Sequence, residues 1–354
     1  MTVNPNAITL ARESRGWSQG DLASARDVTQ ARISKEELGL LSITQESLSA
    51  TARLLQYDEE FFKQNELIFG LGGDFLYRKK ASLPARTKRR IEAEANIRRF
   101  QLERLLEAVQ IETSLSFPAI QPEEYGGKID LIAHEVRRRF SIPEGPIPNL
   151  TKVLENAGCV IFTMEFESNL IDGTNIRVGE SNPVMFLNEK VSGERHRFNL
   201  AHELGHLVMH YVSTMGDAEQ EANDFANEFL MPKSLIRYDL RNLDLEAAAR
   251  LKSVWGVSMA ALIHRARQLR TITDAAYTRM FKMLSGSGMR QQEPFPIEFE
   301  VPQTFERLKK WHREKLGFGD EEMRRLLFTD KLGTLPVPEK PKLKLAGLFD
   351  DDTN

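Results

Sequence analysis

Cysteine is almost absent. Cys159 stands alone among 354 residues, so no intramolecular disulfide framework braces the fold, and the chain suits a reducing compartment. No apolar run approaches the length that crosses a membrane. Asn4, Pro5 and Asn6 occupy the place where a secretion signal would carry a basic start and an apolar core, so the expected location is the cytoplasm, with no membrane partner. Internal repeats and a glycine-rich phosphate loop are missing as well. So is a strong charge: the formal net charge of −3 neither demands nor excludes a nucleic-acid partner, because a basic surface can be local. The remainder is ordinary for a globular protein, 41% hydrophobic and 28% charged, with length for two or three domains.

The most informative stretch runs from Arg195 to His210 and contains His202, Glu203, Leu204, Gly205 and His206. On a helix, side chains four apart project from nearly the same azimuth about 6 Å apart along the axis, so His202 and His206 converge on one ion. Glu203 projects roughly 100° away, an offset that suits a carboxylate acting on the ion's water. This is the H-E-x-x-H arrangement of zinc hydrolases: two neutral imidazoles hold Zn²⁺, and the glutamate is general base for a water whose pKa falls to about 7. Phe198, Leu200, Ala201, Leu204, Leu207, Val208 and Met209 leave the helix without a polar face, which predicts burial. Interior histidines and a glutamate need a partner, and a metal supplies one. His210 falls on the same side, but about 12 Å of rise separates it from His202, so a supporting or packing role is expected for it.

A catalytic zinc needs a third protein ligand. The predicted helix Asp217 to Leu230 offers carboxylates. If Ala222, Phe225, Ala226, Phe229 and Leu230 form its buried face, Glu219 falls inside that face, while Glu221 lies about 100° and Glu228 about 120° from its centre. Glu219 is the expected ligand and Glu221 the alternative, with Asn223 placed to orient a liganding imidazole. Ahead of the metal helix, Cys159 to Phe166, Gly173 to Val178 and Pro183 to Leu187 read as strands of a small sheet, beside which a substrate strand could add. Arg195, Tyr211 and His264 are candidates for stabilising an oxyanion, and spacing does not choose among them.

Near the N-terminus, four helices are expected over Ile8 to Ser14, Gln19 to Arg26, Gln30 to Glu37 and Gln45 to Leu55. Ser18, Thr29 and Thr44 precede the last three as N-caps, and Asp27 suits a tight left-handed turn. Residues 1–70 carry 7 Lys and Arg against 10 Asp and Glu, whereas residues 71–110 carry 10 against 5, concentrated in Arg78 to Lys80 and Arg86 to Arg90. A long charged helix is expected from Pro84 to Ile111, able to neutralise phosphates. Beyond the metal site, helices are expected over Ile129 to Phe140 and Leu150 to Asn156, and around Trp255-Gly256 within Leu240 to Arg270. A charged helical pair follows over Phe305 to Leu316 and Asp320 to Leu327, and the last twenty residues read as disordered.

Two families are resembled. Ala11-Arg12, Gly16-Trp17-Ser18-Gln19, Leu22-Ala23, Val28-Thr29-Gln30, Ile33-Ser34-Lys35, Glu37 and Gly39 resemble the XRE/Cro-type helix-turn-helix family. That resemblance implies double-stranded DNA as a partner, with Gln30, Arg32 and Lys35 near base edges and phosphates and Gln19 at the backbone. Glu36 and Thr51 depart from the apolar residues usual there. The blocks Arg195 to His206 and Glu219 to Pro232 are similar to the ImmA/IrrE family of zinc metallopeptidases. In that family the first block gives two histidine ligands and the catalytic glutamate, and the second, E-x-x-A-N, gives the third ligand, here Glu219.

Together these readings predict an α+β, predominantly α protein. It would comprise a small all-α helix-turn-helix domain over residues 1–70, a basic helical linker over 71–112 and a zincin-like metallopeptidase domain with a small sheet over 113–235. A helical module over 236–285, either a packing element or a second helix-turn-helix, and a C-terminal extension with a disordered tail over 286–354 would follow. The function implied is a DNA-binding regulator fused to a zinc endopeptidase. Its substrate would be a regulatory protein such as a repressor, in a stress-response or mobile-element switch, with room for a homodimer. The competing expectation is an antitoxin-like or transcriptional module that uses the same fold to sense a metal, ligand or partner without cutting.

Overall fold

A computed structural model describes residues 3–64, 84–109, 117–167, 172–176, 182–210 and 217–329. The stretch Arg78 to Lys80, Tyr211 and the last twenty residues, all used above, lie outside them. The described part is mostly helical with one three-stranded sheet, and it falls into two compact units, one from residues 3–64, 84–109 and 309–329 and the other from residues 117–308.

In the first unit α1 (Pro5–Ser14), α2 (Gln19–Ala25), α3 (Gln30–Glu37) and α4 (Gln45–Leu55) begin where local chemistry directs. Ser18, Thr29 and Thr44 each accept from the backbone N–H three residues on, and Asp27 turns the chain with φ 54°. Ile8, Leu22, Ile33, Leu48 and Leu55 form the centre of the core. The two residues that depart from the family pattern are explained by their partners. Glu36 is buried but ion-paired to Arg26 at 2.5 Å and to Arg32 at 3.1 Å, and Thr51 donates to the Ser47 carbonyl at 2.8 Å.

The long helix α5 (Ala85–Leu106) packs on α1. Its Ala93, Ile97 and Phe100 belong to the same core, so it is a structural member of this unit rather than a solvated connector. Residues from the far end of the chain complete the unit. Phe328 stacks edge-on against Phe61 at 5.6 Å, Thr329 bridges Tyr57, and Gln101 donates to the Leu327 carbonyl at 2.7 Å. An apolar stripe announces that a helix will be covered without saying by what, and the stripe on α5 is covered from both chain ends.

The second unit contains α6 (Ile129–Arg139), α7 (Leu150–Asn156), β1 (Val160–Met164), β2 (Gly173–Ile176), β3 (Val184–Asn188), α8 (Gly193–Met209), α9 (Ala218–Leu230), α10 (Lys233–Ile236), α11 (Leu245–Trp255), α12 (Met259–Gln268) and α13 (Asp274–Gly286). Helices α14 (Thr304–Leu316) and α15 (Asp320–Leu326) close the order. The sheet order is β1-β3-β2, with β3 parallel to β1 and antiparallel to β2, which leaves β2 on an edge. Trp255, Val257, Leu262, Ile263 and Ala266 put α11 and α12 into the main core. Of the arginines on α12, Arg265 is buried and paired with Glu228, and Arg267 meets Asp274 at 2.7 Å.

The segment between α13 and α14 folds back along α8. Glu293 accepts from the α12 amides of Met259 at 2.9 Å and Ala260 at 3.3 Å, and from the buried Lys252, which also pairs with Glu194. Glu300 receives the Thr151 amide at 2.7 Å and pairs with the buried Arg197 of α8. In the sequence Pro294, Pro296 and Pro302 mark this stretch only as irregular, so its latching role is not legible there.

His196 of α8 is fully buried against the Phe299 ring, and burial pushes its imidazole down to about 4 from the ordinary 6.5. The folded state keeps the ring neutral, while the unfolded chain takes up a proton below the ordinary value. Stability from this group is therefore complete above pH 6.5 and is lost as pH falls towards 4. Roughly 2 kcal/mol is expected to disappear between pH 7 and about pH 5 in the wild type. Chemical denaturation of His196→Leu at both values should show that increment missing; equal pH dependence in the two proteins would contradict it.

Candidate metal centre

Helix α8 is buried on nearly all sides, as its composition requires, and it carries His202 and His206 one turn apart. Helix α9, capped by Asp217, lies against it. Gly205 sets how closely the two approach, since a Cβ there would lie 3.1 Å from the Phe225 ring and 3.3 Å from the Ala222 Cα. At that separation Glu219, in the first turn of α9, reaches both histidines. Its oxygens lie 3.5 Å from His206 Nε2 and 3.8 Å from His202 Nε2, and the two Nε2 atoms are 3.1 Å apart. The ligand atoms of His202, His206 and Glu219 all fall within 4.8 Å of one another.

Each ring turns Nδ1 away from this cluster. His202 Nδ1 lies 3.0 Å from Asn223 Oδ1, and His206 Nδ1 lies 3.0 Å from His210 Nδ1. The Asn223 carbonyl oxygen can only accept, so His202 carries its proton on Nδ1 and presents a bare Nε2. Electron-rich atoms thus face one another across the cluster and repel unless a cation sits among them. Bonds of roughly 2.0–2.1 Å to a tetrahedral ion place ligand atoms about 3.3 Å apart, close to the separations found, so the residues fit zinc.

Glu221 is turned elsewhere. Its Oε2 accepts from His210 Nε2 at 2.8 Å, and burial lowers the His210 pKa although this carboxylate pulls the other way. Spacing along α9 put Glu221 off the buried face but gave no sign of this partner, which sits at the end of another helix.

Glu203 is 4% exposed and lies beside the cluster against β2. Asn175 of that strand donates to its Oε2 at 2.6 Å. Gly173, two residues earlier, leaves room for it: a Cβ there would meet Glu203 Cγ at 3.1 Å and a Leu187 methyl at 2.8 Å. Asn175 escaped the sequence reading, because only the pairing of β2 with β3 brings it to the metal helix. A cleft of about 1100 Å³ runs from Asp172 and Arg195 past His202, Glu203 and Glu219 to His264 and Arg290. Arg195 is held by Asp172 at 2.5 Å, whereas His264 lines the cleft with its Nδ1 3.1 Å from the Tyr277 hydroxyl. Cys159 is buried and its thiol pKa is pushed up by burial, which disqualifies it as a nucleophile.

The residues expected to touch DNA lie on α2 and α3 of the first unit. Gln30 donates to Gln19 at 2.6 Å, Gln19 donates to Glu37 at 2.9 Å, and Arg32 is tied to Glu36, which leaves Lys35 exposed on α3. Of the basic residues on α5, Arg86 donates to the Gly16 carbonyl at 2.5 Å and Arg89 lies 3.6 Å from Glu13. No helix among the described residues is long and apolar enough to cross a membrane.

No curated protein matches the chain. Residues 154–267, which hold all three strands and the whole of α8 and α9, match the family model described as the IrrE N-terminal-like domain, Peptidase_M78, and this supports a metallopeptidase-like module of the ImmA/IrrE kind around the cluster.

Proposed function

We propose that the second unit is a zinc-dependent endopeptidase and that the first is a helix-turn-helix module that brings it to DNA. The observation that carries the first half is the convergence of His202, His206 and Glu219 beside a buried Glu203 in an open cleft. Zinc, when bound, polarises the peptide carbonyl and makes a water nucleophilic at neutral pH. Glu203 takes the proton of that water on the oxygen not held by Asn175 and delivers it to the departing amine. Asn175 keeps the carboxylate aimed, Asn223 keeps His202 in its donor tautomer, and His264 lines the same cleft as a candidate to meet a substrate carbonyl.

A protein substrate suits a cleft open at the surface and bordered by the edge strand β2, and a regulator of transcription is the substrate class that a fused DNA-binding module would bring near. Support for DNA binding is the succession α2, tight turn at Asp27, α3, with Lys35 and Gln30 on the exposed side.

Wild type and His202→Ala, expressed in parallel in the native host, test the reading. Purified wild type should hold about one zinc per chain and the variant should hold almost none. The proteome should contain a fragment of a regulatory protein seen only with the wild type. Zinc in both proteins, or no fragment unique to the wild type, would reject it.

A further inference from the structure

The two histidines of the cluster are supported by unlike partners. Behind His202 stands a neutral amide, Asn223. Behind His206 stands a chain of groups that ends in a charge: His206 Nδ1 lies 3.0 Å from His210 Nδ1, and His210 Nε2 lies 2.8 Å from Glu221 Oε2. The direction of this chain is fixed by its far end. A carboxylate only accepts, so His210 Nε2 carries a hydrogen and, in the neutral ring, His210 Nδ1 is bare. A bare nitrogen only accepts in turn, so the hydrogen between the rings belongs to His206 Nδ1. The lone pair of His206 Nε2 is thereby left facing Glu219 and His202.

From this we infer that Glu221 and His210 form a positioning relay which holds His206 in its metal-donating tautomer and sets how tightly the cluster binds a divalent ion. His210 closes α8 and Glu221 stands in the first turn of α9, so the relay also ties together the two helices that supply the ligands. A carboxylate at its end raises the electron density of the His206 ring, which an amide does much less for His202. The cluster is thus built with one strong and one weaker imidazole. Glu221 has no place among the atoms that face the ion, and its influence reaches them only through His210. The inference rests on the metallopeptidase reading only for the identity of the ion, because the tautomer is a property of the metal-free protein.

Two measurements on the full chain test it. In metal-free wild type, long-range nitrogen-proton NMR of His206 is expected to place its proton on Nδ1, and in His210→Phe the proton should shift towards Nε2. Competition with a chelator is expected to show zinc affinity reduced by roughly 10- to 100-fold in His210→Phe. Glu221→Gln should show a smaller loss, because its amide oxygen still accepts from His210 but brings no charge. A role confined to packing would lower thermal stability while leaving the His206 tautomer where it is. An unchanged tautomer in His210→Phe overturns the relay, as does unchanged zinc affinity in both variants. If wild type itself bound no zinc, the metallopeptidase reading would fall, while the tautomer measurement would still decide the relay.

Discussion

Replacing Glu203 by glutamine is expected to lower peptide hydrolysis by roughly 10²–10⁴-fold while leaving zinc content at the wild-type level. The glutamate contacts the Asn175 amide at 2.6 Å and is not one of the three converging ligands. In Glu203→Gln the amide oxygen turns to Asn175, which offers only hydrogens there. The amide nitrogen then points to where the second carboxylate oxygen stood, so a proton acceptor becomes a donor and the water keeps its proton. Shape and burial are preserved, and a bound substrate should be retained uncut. The same variant separates cutting from sensing. If Glu203→Gln regulates neighbouring genes as well as the wild type does while His202→Ala does not, the metal serves structure or sensing and the peptidase proposal fails.

A comparable effect on stability is expected from Lys252→Met. The ammonium is fully buried between Glu194 and Glu293, whose side chains are only 9% and 10% exposed. Methionine fills the volume but leaves two desolvated carboxylates without a counter-ion, a loss of about 3–5 kcal/mol. For a unit of this size the melting temperature should fall by on the order of 10 °C. Because Glu293 also holds the first amides of α12, the damage should extend to the wall of the cleft that His264 occupies. Adding Glu194→Gln and Glu293→Gln to Lys252→Met should recover part of the loss, since removing the stranded charges removes the cause. No recovery in the triple variant would point to packing instead.

How much of this could be read beforehand depended on how local the cause was. Caps at Ser18, Thr29 and Thr44 act within three residues, and each helix begins at its cap. The spacing of His202 and His206, and the position of Glu219 on the inner face of α9, follow from helical geometry alone, and the three side chains do meet. Contacts made across the chain were invisible. Asn175 reaches Glu203 through strand pairing, Glu221 reaches His210 from another helix, and Phe328 joins a core built mostly from the first hundred residues. Charge counting has a related limit. The basic excess after residue 70 predicts a surface for phosphates; of it, Arg86 and Arg89 also meet a backbone carbonyl and an acidic side chain of their own unit, while Arg78 to Lys80 lie outside the described residues. Composition counts ions without showing which are already matched.

The latch on α8 has a consequence during synthesis. Arg197 leaves the ribosome 103 positions ahead of Glu300, the carboxylate that makes its burial tolerable. At roughly 5–20 residues per second that lead amounts to about 5–20 s. For that interval Arg197 lacks the carboxylate that pairs with it in the folded unit, so burying this face of α8 would strand a guanidinium. The packing of α8 is therefore a late event of synthesis, completed only by residues that follow it by about a hundred positions.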